Sequence, residues 1–185
     1  MQAKVLSSIK SPTIVSEIAI IISASLLLGL CANISIPFYP VPLTLQTFAV
    51  LLIGGLLGPK RAALTVAAYI AEGAGGLPFF SAGNHSLAYL MGPTGGYIIG
   101  FFPLAIIMGY FSEHYFKKPA LWLLAVGALS GMLCTYALGI SWLSTFTGWT
   151  NAVNLGVMPF ILGDLLKISV ACAILMTIPR LHTQK

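Results

Sequence analysis

The sequence contains very few charged residues. Only 7% of its residues are aspartate, glutamate, lysine or arginine, whereas soluble globular domains carry about 25%. Hydrophobic residues make up 58% of the chain, and no polar block is long enough for a soluble domain. We therefore interpret residues 1–185 as a single integral membrane domain. The net charge of +5 comes from short basic clusters between apolar runs, so it indicates membrane topology and not a nucleic-acid partner.

Groups that carry catalysis are also scarce. The three cysteines lie in different apolar runs, and the three histidines lie on separate segments without metal-ligand spacing. Neither Gly58–Arg61 nor Gly92–Gly96 has the spacing of a Walker A motif, and no nucleophile is arranged with a base. We expect a protein that is not an enzyme, has no metal and no cofactor, and does not use ATP through a Walker motif.

The apolar runs predict an all-α membrane protein. A transmembrane helix needs about 20 predominantly apolar residues. We expect six spans, at about residues 18–36, 46–57, 62–72, 97–111, 120–140 and 157–178, of which the second and third are short. Three uncharged segments separate spans on one side: a proline-rich segment at 37–46, a glycine-rich segment at 73–96 and a tryptophan-containing segment at 141–155. We predict that these long outward loops form a pocket.

The basic residues predict the orientation of the spans. With six spans, all but one of them fall on the same side, namely Lys4, Lys10, Lys60, Arg61, Lys117, Lys118, Arg180 and Lys185. Because cytoplasmic loops carry the excess of lysine and arginine, both termini are expected in the cytoplasm.

Lys167 is the exception, and it follows Asp164 by three residues within the last apolar run. Each charge costs about 2.5–3.5 kcal/mol at the centre of a membrane helix, and residues three apart share a helix face. Charges at this depth indicate a functional site. The alternative is an ion pair that only fixes helix packing. Asp164 lies about eight residues, or roughly 12 Å, from the outward end of its span, so an outward cavity could reach it.

Three segments carry a resemblance to a known family. Pro40–Gln46, Gly92–Tyr97 and Gly163–Lys167 match signatures of the BioY family in the same order, and the resemblance covers nearly the whole chain. That family comprises the biotin-binding S components of energy-coupling factor (ECF) vitamin transporters. The resemblance implies a multi-pass protein of the bacterial plasma membrane that binds biotin from outside. It also implies a transmembrane T protein and two ATPase subunits as partners, which would use the ATP.

The resemblance further implies a lid and a docking face. The lid would be the loop between the first two spans, here about residues 36–45, with Pro40, Val41 and Pro42 at its centre. The family docks to its T protein through an alanine-xxx-alanine motif on the first span. The nearest match here is Ala19 and Ser23, so the second alanine is replaced by another small residue.

The chemistry of biotin suggests roles for individual side chains. The Asp164 carboxylate suits a ureido N–H, and the amides of Asn84 and Gln46, with Thr44 beside them, suit its N–H and C=O array. Lys167 would either hold Asp164 ionised or meet the ligand carboxylate. The aromatic wall would come from Phe79, Phe80, Tyr89 and Tyr97, although each of these rings could equally belong to the packed core.

Other functions remain compatible with the sequence. A proton-coupled secondary transporter that works alone would use Asp164 and Lys167 as a proton relay. A structural membrane subunit would bind no ligand, and a relative of the same fold would bind another vitamin.

Overall fold

The computed structural model describes residues 13–177 and is predominantly helical. Its helices are α1 Ile14–Asn33, α2 Gln46–Ala74, α3 Leu87–Leu90, α4 Gly95–Lys117, α5 Leu121–Thr147, α6 Trp149–Gly156 and α7 Ile161–Thr177. Two strands, β1 Ser35–Ile36 and β2 Leu43–Thr44, and a 3₁₀ turn at Ser81–Gly83 complete the regular structure. Several residues used in the sequence prediction lie outside the described part of the chain, namely Lys4, Lys10, Ile178, Arg180, His182 and Lys185.

The described helices agree with a membrane protein. Four of them, α1, α2, α4 and α5, are long and apolar enough to cross a bilayer. The pair α6 and α7 passes the same test together and is bent by 47°, which makes a fifth candidate span.

The first span begins and ends earlier than the sequence predicted. Thr13 caps α1, because its side-chain oxygen accepts a hydrogen bond from the Ser16 backbone N–H at 3.3 Å. The helix stops at Asn33, and β1 then pairs antiparallel with β2. Pro37 favours the extended backbone of Ile36, the last residue of β1, since a proline disfavours helical geometry in the residue before it. The prediction of a purely helical protein therefore misses a small two-stranded hairpin around the proline-rich segment.

A break divides α2 into two legs. Gly58 has φ 78° and ψ 172°, a backbone conformation that glycine adopts readily, and Pro59 follows without an N–H. Near the ends of the two legs, the Gln46 side-chain amide donates a hydrogen bond to the Tyr69 hydroxyl. In a straight helix these residues would be about 35 Å apart, at 1.5 Å per residue. The legs therefore fold back on each other, and they correspond to the short second and third predicted spans.

The tryptophan-containing segment is helical, so its prediction as a loop is wrong. The helix α5 continues to Thr147, and after Gly148, with φ 78°, the chain forms α6. The absence of charge from residues 141–155 favours an outward loop, but Gly148 alone interrupts the helix there. Trp142 has a local structural role, since its indole N–H donates to the Gly92 carbonyl at 2.9 Å and fixes the end of the glycine-rich segment.

Candidate functional site

A cavity lies where the β hairpin, the glycine-rich segment and four helices meet. The empty space between its walls is about 560 Å³, a volume that includes the open solvent at its mouth. Eight residues predicted from the sequence line it: Val41, Pro42, Thr44, Gln46, Tyr89, Tyr97, Asp164 and Lys167. The sequence reasoning did not single out a further nine as ligand contacts: Thr47, Ser81, Thr94, Ile98, Phe101, Met132, Thr135, Tyr136 and Phe160.

Lys167 joins the charged part of the cavity to the β hairpin. Its ammonium donates to Asp164 Oδ1 at 2.9 Å, to Thr47 Oγ1 at 3.0 Å and to the backbone carbonyl of Thr44 at 2.7 Å. An ammonium has three N–H donors, so all of them are used. The side chains of Lys167 and Asp164 are only 12% and 7% exposed. The lysine therefore connects α7 to the end of β2 and to the first turn of α2.

The Asp164 carboxylate has three donors around it. Oδ1 accepts from Lys167 and, at 3.2 Å, from the Thr47 hydroxyl, and Oδ2 accepts from the Tyr136 hydroxyl. A carboxylate offers about four acceptor positions. One position therefore remains for a donor that enters the cavity, while the protein supplies enough partners to keep the buried charge satisfied.

Gln46 sits at the start of α2 with its amide already oriented. Its carbonyl oxygen accepts from the Thr44 hydroxyl at 2.9 Å, and its amide nitrogen donates to Tyr69. The residue is only 5% exposed. The structure therefore places Thr44 and Gln46 together at the cavity, with most of their hydrogen-bonding groups engaged by protein partners.

Two tyrosines contribute aromatic surface to the cavity. The Tyr97 hydroxyl donates to the Gly156 carbonyl at 2.9 Å, which ties α4 to α6. Tyr89 stacks on Phe80 at a ring separation of 5.4 Å and an angle of 14°. Burial raises the pKa of the Tyr89 phenol, with smaller opposing effects from the hydroxyls of Thr94 and Ser81.

The other two predicted aromatic residues do not line the cavity. Phe80 is fully buried, and its ring packs edge-on against the Tyr69 ring, with the ring centroids 5.6 Å apart. Phe79 packs on α1, where a Cβ added to Gly29 would lie 2.7 Å from its ring. Both rings belong to the core that supports the glycine-rich segment, which is the alternative that the sequence left open.

Asn84 and Pro40 also lie outside the cavity lining. The Asn84 side-chain amide donates to the Ser81 carbonyl at 2.7 Å, so it shapes the turn at Ser81–Gly83 while the residue itself is exposed. Pro40 follows a cis peptide bond from Tyr39, and the lid residues after it, Val41 and Pro42, reach the cavity.

Among the polar lining residues that the sequence did not predict are Thr47, Tyr136 and Ser81. Thr47 and Tyr136 both donate to Asp164. Tyr136 is a polar group within a long apolar run, which is a signal that could have identified it. Nothing in the sequence separates Thr47 or Ser81 from the other hydroxyl residues of their segments.

The predicted docking residues lie on α1, outside the lining of the cavity. Ala19 and Ser23 are exposed and line a shallow apolar groove whose other wall is the first leg of α2. Beside this groove, Arg61 after the bend of α2 forms a two-pronged ion pair with Glu17 of α1. The ion pair fixes the end of α1 on which Ala19 lies.

Comparison with known proteins agrees with this arrangement. The family model described as "BioY family" matches residues 1–184. The biotin transporter BioY of Thermotoga maritima is 39% identical over 155 residues, which cover 83% of this chain and 90% of that protein. The probable biotin transporter BioY of Pyrococcus horikoshii is 37% identical over 158 residues, covering 85% and 93%.

A solved structure is also similar. The 2.1 Å crystal structure of the S-component for biotin from an ECF-type ABC transporter superposes with a TM-score of 0.75. It is 28% identical in sequence, and the match covers 87% of this chain and 89% of that one. Because the family model matches almost the whole length of this chain, the chain belongs to the BioY family.

Proposed function

We propose that this protein binds biotin from the outside with high affinity and delivers it for ATP-driven uptake as the S component of an ECF transporter. The observation that carries this proposal is the buried Asp164–Lys167 pair, which lines a cavity with polar and aromatic walls in a member of the BioY family. Biotin transporters are the named relatives, and catalysis is not part of the proposed role.

The polar end of the cavity suits the ureido ring of biotin. Asp164 has one acceptor position left and would take a ureido N–H in a charge-assisted hydrogen bond. Lys167 has no free N–H, because Asp164, Thr47 and the Thr44 carbonyl occupy all three. Its role in this proposal is therefore to keep Asp164 ionised and in place, and not to bind the ligand carboxylate.

The proposed lid is the β hairpin. Val41 is 5% exposed and packs with Leu143, Ala152 and Phe160, while Pro42 lines the cavity beside it. An apolar lid suits an apolar bicycle, since closing it removes both surfaces from water. Pro40 would make the backbone before Val41 and Pro42 more rigid without contacting the ligand.

We propose six spans in a single domain of residues 1–185, with both termini in the cytoplasm of a bacterial cell. The two antiparallel legs of α2 raise the count of candidate spans from five to six. Lys60 and Arg61 follow the bend of α2, Lys117 is the last residue of α4, and Lys118 follows it before α5. In a six-span arrangement these four basic residues share one side, which supports a cytoplasmic assignment.

The proposed partners are a T protein and two ATPase subunits. The groove beside Ala19 and Ser23 supports docking of a membrane helix, because small residues let helices approach closely in lipid. Serine in place of the expected alanine keeps this face small. The partners would supply ATP hydrolysis, and surrounding lipid would cover the remaining exposed apolar surface.

Titration of the purified protein with biotin by calorimetry tests the proposal. We expect one biotin per chain at high affinity and no binding of thiamine or riboflavin, which lack biotin's ureido ring fused to a sulfur-containing ring. Absence of biotin binding by a folded, monodisperse protein would refute the function. Biotin uptake into liposomes driven by a proton gradient, without ATPase subunits, would favour the secondary transporter instead.

A further inference from the structure

A second groove lies between α5 and α7, outside the cavity described above. Its lining residues on α5 lie at positions i, i+3, i+4 and i+7 counted from Leu129, and those on α7 have the same spacing from Ile161. Residues at this spacing share one face of a helix. Each wall therefore extends over two helical turns, or about 10 Å at 1.5 Å per residue. Because both helices belong to candidate membrane spans, this groove opens towards the hydrocarbon of the bilayer.

The walls of the α5–α7 groove are apolar. All of its described lining residues are leucine, isoleucine or methionine except Tyr136 and Asp164. These two are hydrogen-bonded to each other, since the Tyr136 hydroxyl donates to Asp164 Oδ2. No lining residue of the groove is a cation, so an anionic group would meet only the Asp164 carboxylate there. An apolar occupant suits these walls, because it leaves the Tyr136–Asp164 hydrogen bond unchanged.

The side chains of the groove disfavour a partner helix as the occupant. Helices in lipid approach closely where small residues line the contact, but none of the described lining residues is glycine, alanine or serine. The small-residue face of α5 is a different one and is already packed on α4: a Cβ added to Gly127 or Gly131 would lie within 2.7 Å of side-chain atoms of that helix. The α5–α7 groove therefore suits an apolar group that is narrower than a helix.

An unfilled groove would be unfavourable at this depth. The side chains that line a void have no partner atoms on one side and lose the dispersion contacts that a filled space would give them. Leu133 and Leu165, which lie at the middle of the two walls, are 70% and 48% exposed, so the groove is open along its length to the surrounding lipid. A single acyl chain has the width and the apolar character to fill it.

We propose that the α5–α7 groove binds one acyl chain of a membrane lipid and that this chain seals the cavity on its lipid side. Met132, Tyr136 and Asp164 line both the groove and the cavity, so a wall one side chain thick separates the two spaces. An acyl chain in the groove supports this wall from behind and keeps water away from the Tyr136–Asp164 hydrogen bond. The site goes beyond the proposed function and does not depend on which ligand the cavity takes.

Photolabelling with a lipid tests the occupant directly. Wild-type protein is placed in phosphatidylcholine vesicles that contain a phosphatidylcholine with a diazirine on one acyl chain, and the labelled residues are found by mass spectrometry after irradiation. Two buried isoleucines form a matched pair: Ile168 lines only the groove and is 8% exposed, whereas Ile98 lines only the cavity and is 4% exposed. We expect label on Ile168 and none on Ile98.

Two results would overturn the proposal. Label confined to strongly exposed residues such as Leu166, with none on Ile168, would show that lipid passes over the groove without entering it. Label on Ile98 would show that the probe enters the ligand cavity instead. Neither result depends on a substituted protein, so the test does not rely on a variant that folds.

Two neighbouring leucines of α7 supply a second test. Leu165→Trp places a large ring in the groove, whereas Leu166→Trp makes the same change at a residue that does not line it. We expect Leu165→Trp to lose most of the label on Ile168 and Leu166→Trp to keep it. Added lipid should raise the melting temperature of detergent-solubilised Leu165→Trp by less than that of the wild type or Leu166→Trp, because a bound chain stabilises the folded state. Equal rises in all three proteins would contradict a specific acyl-chain site.

Discussion

Replacement of the charged pair one residue at a time, and then together, separates its role in folding from its role in binding. The variants are Asp164→Asn, Lys167→Met and the double variant. Each single change leaves one buried charge without its counter-ion, since both side chains are at most 12% exposed. The double variant removes both charges and keeps side chains of similar size.

The magnitudes follow from the geometry. At the Nζ–Oδ1 distance of 2.9 Å and an effective dielectric constant of about 20, the attraction is roughly 6 kcal/mol. Desolvation of the two ions offsets most of it, but removal of one partner typically costs about 3–5 kcal/mol because the other remains buried and charged. Lys167→Met also leaves the Thr44 carbonyl without its donor. We expect both single variants to be destabilised by about 3–5 kcal/mol and the double variant by less than either.

The biotin affinity of these variants should respond differently from their stability. If Asp164 accepts a ureido N–H, each single variant loses at least about tenfold in biotin affinity, which corresponds to roughly 1.4 kcal/mol, and the double variant does not recover. Thermal unfolding in detergent and calorimetry measure the two effects on the same samples. A double variant that regains wild-type affinity together with its stability would show that the pair only fixes helix packing. Single variants that bind as the wild type would move the site away from α7.

Three further variants probe the surroundings of the site. Tyr136→Phe removes one donor to the buried carboxylate and should lower thermal stability by about 1.5–3 kcal/mol; an unchanged unfolding temperature would contradict this. Arg61→Lys cannot form both contacts to Glu17 and should cost about 1 kcal/mol while biotin affinity stays the same, because the ion pair lies outside the cavity. Gly139→Ala places a Cβ 2.4 Å from the Tyr97 ring and should weaken biotin binding by displacing that ring; calorimetry with unchanged affinity would refute the displacement.

Matched controls exist for two of these changes. A Cβ at Gly163 would be 3.6 Å from the nearest Leu43 atom, an ordinary contact, so Gly163→Ala should leave the fold intact. Lys60→Arg changes the neighbouring exposed cation after the same bend of α2 and should alter neither stability nor binding.

The charged pair could be found from the sequence because almost all of the residues around it are uncharged. In a chain with 7% charged residues, a carboxylate and a lysine within one apolar run stand out without any knowledge of the fold. Their spacing of three residues then places them on one helix face, and the structure joins them at 2.9 Å. The partners of the pair could not be found in this way, since Thr47 and Tyr136 come from α2 and α5 and their proximity depends on packing.

The glycine-rich segment shows where sequence reasoning ends. Phe79 and Phe80 looked like cavity residues because they lie in an irregular apolar segment, but such a segment has two faces and no helical period to tell them apart. One ring turns towards Gly29 and the other towards Tyr69. The hydrogen-bonding groups of Asn84 make it a candidate ligand contact in the sequence, but its side-chain amide shapes the turn at Ser81–Gly83.

The position of Lys167 links binding to the proposed lid. Its bond to the Thr44 carbonyl holds the end of β2, and its bond to Asp164 holds the proposed ligand acceptor. A ligand that fills the last acceptor position of Asp164 would strengthen the arrangement that also fixes the β hairpin over the cavity. Both the polar recognition of the ligand and the closure of the apolar lid would therefore depend on the same lysine. This double role would explain why a costly charge is placed at this depth.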